Sequence, residues 1–96
     1  MIESREVSIG DRKLQFMRMP LFNAPVLILK GSKGYVMCGY LNMEAAEKLQ
    51  DAAVRVTGVN TLEDVLEAQV KETTSRARNL GISPGMKVRE ILQLIS

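Results

Sequence analysis

Residues 35–58 read YVMCGYLNMEAAEKLQDAAVRVTG, and this stretch decides the fold. It begins with an apolar strand over residues 35–40 and continues with a helix over residues 43–52, which Asn42 caps. It ends with a second strand over residues 53–58, where Val54 and Val56 alternate with polar side chains. A crossover of about a dozen residues is the minimum that joins parallel strands. The stretch therefore predicts one βαβ unit, whose two strands run parallel if they are neighbours.

Strands joined by turns precede this unit. Residues 5–9 and 13–19 alternate between apolar and polar side chains, with a turn signal between them. Residues 26–30, VLILK, are apolar on both faces, which is typical of a central strand that is covered on both sides. The sequence GSKG at 31–34 is typical of a hairpin turn. We therefore expect antiparallel pairing along the first half of the chain.

Helical patterns follow the unit. Thr61 is a cap residue, and an apolar stripe at helical spacing runs from 62 to 80 before Gly81 ends the helix. The middle of that stripe is polar, so a continuous helix and a break near Ala68 are both open. Ser83-Pro84 predicts the start of a last helix, with Ser as the N-cap and Pro in the first turn.

The pattern as a whole predicts a single domain over residues 1–96. Its class is α+β, a two-layer sandwich in the order β-β-β-β-α-β-α-α, with a mostly antiparallel mixed sheet and one βαβ unit. Helices on one side would leave the other face of two apolar strands uncovered. Exposed apolar side chains would then reduce the stability of the domain and form an apolar patch that favours association. We therefore expect a homo-oligomer, most simply a homodimer, unless a longer helix wraps round.

Composition excludes several classes of function. The net charge is +2, from 13 basic and 11 acidic residues, which is too even to indicate nucleic acid or an anionic membrane as a partner. The longest apolar run, Val26–Leu29, is far too short to span a membrane. One cysteine excludes an intrachain disulfide and indicates a cytoplasmic domain. The absence of His removes the commonest general base and metal ligand, and we expect neither metal nor cofactor.

Cys38 supports two hypotheses. The first is ordinary core packing, because free cysteine is among the most buried residue types. The second is an enzyme that uses the Cys38 thiolate as a nucleophile, activated by a nearby Lys or Arg. No His can activate the thiol, and four residues separate it from Met43, where the helix begins. A nucleophile elbow would place it at the turn itself, so core packing is favoured.

Small and polar residues gather where the two strands of the βαβ unit end. The carboxyl ends of parallel strands form one edge, where open α/β sheets bind ligands, and two helix N-termini would face it. The candidate residues of this edge are Gly39, Tyr40, Asn42, Thr57, Gly58, Asn60 and Thr61. The alternative is that Asn42 and Thr61 are only helix caps and Gly58 only a turn residue. We expect the edge to bind a small anionic ligand or a protein partner.

The stretch KGYVMCGYLN at 33–42, together with RNLGISPGMKVREIL at 78–92, resembles the YunC-like family of small bacterial and archaeal proteins. The resemblance covers nearly the whole chain and implies an α/β two-layer sandwich. It implies no reaction, because the family is itself a domain of unknown function. The central cysteine of the family corresponds to Cys38, without an established catalytic role.

Overall fold

The computed structural model describes residues 2–39 and 41–96, in which six strands form one sheet and four helices pack on it. The strands are β1 (Glu3–Ile9), β2 (Arg12–Pro20), β3 (Pro25–Lys30), β4 (Tyr35–Met37), β5 (Ala53–Arg55) and β6 (Glu72–Thr73). The helices are α1 (Met43–Lys48), α2 (Leu62–Glu67), α3 (Ser75–Asn79) and α4 (Val88–Ile95). Tyr40, which the sequence places at the end of a strand, lies outside the described residues.

The strands follow one another in chain order across the sheet, from β1 to β6. Every neighbouring pair is antiparallel except β4 and β5, which run parallel with Val36 opposite Val54. The α1 helix connects this parallel pair. These pairings confirm the α+β class, the mostly antiparallel sheet and the one βαβ unit.

The main core lies between one face of the sheet and the helices α2 and α4. Alternation along the strands puts one set of side chains on this face, and they are buried: Leu14, Phe16, Leu27, Leu29, Val36, Val54 and Val56. The α4 helix buries Val88, Ile91, Leu92 and Ile95, the i, i+3, i+4, i+7 stripe of an amphipathic helix. Each fully buried side chain of this kind contributes about 1.5–3 kcal/mol.

The opposite face of the sheet is covered only in part. There, α1 packs Ala46 against Met37 and Ala53, which covers β4 and β5. Next to it the Tyr35 hydroxyl donates to Asp51 Oδ2 at 2.8 Å. Burial, and then the bond to the Asp51 carboxylate, raise the pKa of Tyr35 to about 12. No described helix lies on this face over β1 to β3. The second face of the sheet is therefore covered over β4 and β5 and uncovered over β1 to β3.

The stripe from 62 to 80 forms two short helices with a strand between them. The chain is extended at Ala68, where ψ is 151°, and its carbonyl accepts a hydrogen bond from Val88 N–H at 3.0 Å. Val70 N–H donates to Met86 O at 2.8 Å, and Lys71 N–H donates to Arg55 O at 2.8 Å. These bonds to distant segments replace helical ones. The structure therefore adds β6 and α3 to the predicted order, with the break at Ala68.

The start of the last helix was predicted wrongly at Ser83. Residues 83–86 form a turn, in which Met86 N–H donates to Ser83 O at 3.3 Å and Gly85 has a φ of +95°. A Pro-Gly pair at the centre of a turn has this geometry. The helix α4 begins at Val88, and Glu90 Oε1 accepts a bond from Lys87 N–H at 3.0 Å, which holds its first turn.

Candidate functional site

A cleft opens where β4 and β5 end. Val56 N–H still donates to Met37 O at 2.9 Å, so the parallel ladder extends past the named strands. Cys38 O then accepts from Leu41 N–H at 3.3 Å. From Gly39 and Thr57 onwards, no backbone hydrogen bond joins the two segments within the described chain. The gap lies at the carboxyl ends of a parallel pair, where α/β sheets bind ligands.

The cleft has a volume of about 400 Å³. Its lining combines the start of β3 with the ends of the two parallel strands: Ala24, Pro25, Cys38, Gly39, Thr57, Gly58, Val59 and Asn60. None of these residues carries a charge. The volume lies near the lower end of the range of about 300–1,000 Å³ for small-molecule sites, so a small metabolite fits.

The structure brings together some of the predicted site residues and separates others. Gly39, Thr57, Gly58 and Asn60 line the cleft. Asn42 and Thr61 do not line it, because they cap helices: Asn42 Oδ1 accepts from Glu44 N–H at 2.8 Å, and Thr61 Oγ1 accepts from Asp64 N–H at 3.1 Å. Tyr40 lies outside the described residues. Whether the lining residues bind a ligand stays a prediction.

Arg18, which sequence reasoning missed, does not line the cleft but lines a neighbouring pocket, from which it bonds to the cleft wall. Its Nε donates to the carbonyl of Asn60 at 2.7 Å, and Asn60 N–H donates to Asp64 Oδ2 at 3.0 Å. Within the described chain Arg18 forms no salt bridge, and the neighbouring pocket that it lines carries charges of both signs, from Arg5 and from Glu3 and Glu63. Arg18 and Asn60 are 42 positions apart, and no local pattern in the sequence connects them.

Cys38 is part of the wall of the cleft and of the core at the same time. Its side chain is 4% exposed, and Sγ accepts a weak hydrogen bond from Leu27 N–H at 3.5 Å. It packs within the main apolar cluster, alongside residues such as Leu27 and Val56. This environment agrees with the packing hypothesis. No described group of three or more His, Cys, Asp or Glu side chains could hold a metal ion.

Comparison with known proteins places the chain in a family. Residues 37–95 match the family model described as a domain of unknown function, DUF1805. The chain belongs to the DUF1805 family. It is 29% identical over 96 residues to the uncharacterized protein YunC of Bacillus subtilis (strain 168). The alignment covers 96% of this chain and 95% of that protein.

The fold of this chain also resembles a solved structure. A protein of unknown function from Thermoplasma acidophilum is 47% identical, and its crystal structure superposes with a TM-score of 0.96. That comparison covers 100% of this chain and 94% of the other. The resemblance to YunC-like proteins is confirmed, and so is the fold. The names of these proteins assign no reaction, so the function is argued from the cleft.

Proposed function

We propose that this DUF1805 domain is a small cytoplasmic binding protein whose cleft takes a small anionic molecule. The observation that carries the proposal is the cleft of about 400 Å³ at the ends of β4 and β5, whose wall residue Asn60 accepts a hydrogen bond from the Arg18 guanidinium in the adjoining pocket. Arginine is the side chain that best matches carboxylate and phosphate groups, because its planar fork donates two parallel hydrogen bonds.

The donors that line the cleft itself are neutral. Thr57 is exposed, and within the described chain the backbone N–H groups of Gly39 and Gly58 donate to no backbone acceptor. Cys38, Pro25 and Val59 supply an apolar wall. A ligand with one acidic group and a small apolar body satisfies both parts of this lining. A dinucleotide is too large for the volume.

A thermal-shift screen tests this proposal with small carboxylates and phosphate monoesters. A ligand at about 100 times its Kd stabilises the native state by about 2.7 kcal/mol, which raises the melting temperature by roughly 10–20 °C for a chain of this size. We expect at least one of these anions to produce such a shift in the wild-type chain. Arg18→Gln should reduce the shift, since it removes the charge and keeps a hydrogen-bonding side chain.

Gly39 offers a matched pair of variants for the same screen. Its φ lies outside the left-handed region, and an added Cβ would meet Thr57 Cγ2 at 3.8 Å, an ordinary contact. Gly39→Ala should therefore keep the ligand-induced shift, whereas Gly39→Leu should fill the cleft and abolish it. Equal shifts in both variants, or no shift with any anion in the wild type, would contradict the proposal.

A second candidate function is thiol chemistry, because Cys38 lines the same cleft. We expect the native thiol to react with iodoacetamide at least about 100-fold more slowly than the unfolded chain does, since a buried structural cysteine is inert. The rate is measured by mass spectrometry across pH 6 to 9, with the chain in denaturant as the reference. Rapid labelling of the native chain near neutral pH would favour the enzyme instead.

The cellular setting is part of the proposal. The lone cysteine is buried and unpaired, which suits a reducing compartment such as the cytoplasm. No described helix is long and apolar enough to cross a membrane. The partly uncovered face of the sheet supports a homodimer, as the sequence led us to expect.

A further inference from the structure

The face of β1 to β3 that points away from α2 and α4 is called the open face here. Its half nearest the β2–β3 turn is apolar and partly exposed, with Met17 and Met19 on β2 and Val26 and Ile28 on β3. Register places Met17 opposite Ile28 and Met19 opposite Val26, so the four side chains form one continuous patch. Leu21 and Phe22, in the turn that follows β2, are 44% and 104% exposed.

The other half of the open face is polar, and its charges have a regular arrangement. Glu6 lies opposite Gln15, and Gln15 lies opposite Lys30, so the three residues form one row across β1, β2 and β3. Glu6 and Lys30 therefore stand on either side of β2 at the same level. Within the described chain neither forms a salt bridge, and both are exposed.

We propose that a second copy of the chain packs on the open face, with the two-fold axis parallel to β2 and passing over Gln15 and Met17. This inference rests on the proposed homodimer and is independent of the ligand in the cleft. The rotation brings β1 of one copy over β3 of the other. Glu6 of each copy then lies over Lys30 of its partner, which forms two equivalent ion pairs, and the apolar halves face each other.

Charge complementarity selects this orientation. An axis in the interface plane and perpendicular to the strands would keep each strand over its own copy, and would set Lys30 against Ile28 and Glu6 against Ser4 of the partner, which desolvates two unpaired charges. With the axis parallel to β2, opposite charges meet and apolar side chains meet. Lys13, further along β2 at the rim, faces Lys13 of the other copy, and its long side chain can extend away from the axis into water.

The area is adequate for a specific dimer. Three strands about 4.8 Å apart, with side chains on both flanks, cover a width of about 15 Å, and the nine residues of β2 extend about 30 Å. The projected area is therefore about 450 Å², and protruding side chains and the exposed turn bring the accessible area toward the roughly 800 Å² per partner of standard interfaces. Two sheets also pack face to face in many folds, with strands nearly aligned.

Charge reversal combined with subunit mixing tests the arrangement. Analytical ultracentrifugation should give two chain masses for the wild type at micromolar concentration. Glu6→Lys and Lys30→Glu should each weaken the dimer at least about tenfold, because each creates two like-charge contacts. Glu63→Lys on α2 and Lys71→Glu before β6 make the same changes of net charge away from the open face, and should leave the dimer unchanged.

The decisive sample is an equimolar mixture of the Glu6→Lys and Lys30→Glu chains. A heterodimer of the two has opposite charges at both contacts, so we expect dimers to reappear at wild-type strength, and the double variant should likewise dimerise with itself. A wild type of one chain mass would contradict the homodimer altogether. A wild-type dimer that neither charge reversal weakens would show that the chains pair through another surface, such as the β1 edge. A mixture that stays monomeric would likewise contradict pairing through the open face. Both results would still agree with a homodimer.

Discussion

Gly31→Ala should destabilise the domain by about 3–5 kcal/mol, a large part of the total stability of a small domain. A Cβ at position 31 would stand 2.6 Å from the carbonyl carbon of Ile95 and 2.9 Å from Cα of Ser96, and nearer still to the Ile95 oxygen. These are backbone atoms at the end of α4 that cannot rotate away. Either α4 or the turn at 31–34 must move.

That movement would break the bonds that hold the end of α4. Lys33 N–H and Gly34 N–H donate to Ile95 O at 2.8 and 3.2 Å, and the Ser32 hydroxyl donates to Ser96 O. The last carbonyls of a helix lack partners within it, and this turn supplies them. Each lost hydrogen bond costs about 0.5–1.5 kcal/mol. The apolar side chains of α4 would also pack less closely against the core.

Guanidinium unfolding measures the effect as the shift of the unfolding midpoint of Gly31→Ala. Gly39→Ala is the control, because it makes the same chemical change at another glycine. At position 39 the added methyl meets only Thr57 Cγ2, at 3.8 Å, so the midpoint should stay near that of the wild type. The melting temperature of Gly31→Ala should fall on the order of 20 °C, given about 4–8 °C per kcal/mol for a chain of this size. Equal midpoints for the two variants would show that the turn does not hold α4.

The sequence predicted the elements whose signals are local. Period-two alternation indicated β1 and β2, the double-sided apolar runs indicated β3 and β4, and Asn42 indicated the start of α1. The length of the crossover permitted the parallel pairing of β4 with β5, which the sequence predicted on the condition that the two strands are neighbours. On the same condition the sequence predicted the location of the cleft and four of its residues, because these follow the ends of the two strands.

Long-range contacts decided what the sequence did not show. At Ala68 to Lys71 the chain bonds to residues 85–88 and to β5, and such bonds leave no periodic trace. The β-branched residues in VKETTS at 70–75 were a usable sign of extended chain. Likewise the Pro84-Gly85 pair indicated a turn more strongly than a helix start. The bond from Arg18 to the cleft wall arises only through tertiary structure, since its partner Asn60 is 42 positions away.

Thr74 is the buried polar residue in the described chain, although the sequence pattern placed it among the polar residues that interrupt the stripe from 62 to 80. It is 1% exposed, and its Oγ1 makes three hydrogen bonds. The hydroxyl donates to Asp51 O at 2.7 Å and accepts from Ala53 N–H at 3.0 Å and from Ala77 N–H at 3.3 Å. One atom thus joins the end of the crossover, the start of β5 and the first turn of α3.

Thr74→Val should therefore destabilise the domain by about 3 kcal/mol, although it keeps the shape of the side chain. Valine leaves two buried N–H donors and one carbonyl without partners, and an unsatisfied buried group costs about 1–3 kcal/mol. Thr74→Ser keeps the hydroxyl and loses one methyl group, so its cost should be near 1 kcal/mol. Free energies of unfolding from urea titrations give both values.

Thr61→Val is the matched control, because Thr61 is also an N-cap but is exposed and makes a single bond, to Asp64 N–H at 3.1 Å. Water replaces that bond when the hydroxyl is removed, so the loss should stay within about 1 kcal/mol. The comparison separates burial from capping. If Thr74→Val costs no more than Thr61→Val, the hydroxyl acts as an ordinary cap. If Thr74→Ser is as damaging as Thr74→Val, methyl packing rather than hydrogen bonding holds the junction of α1, β5 and α3.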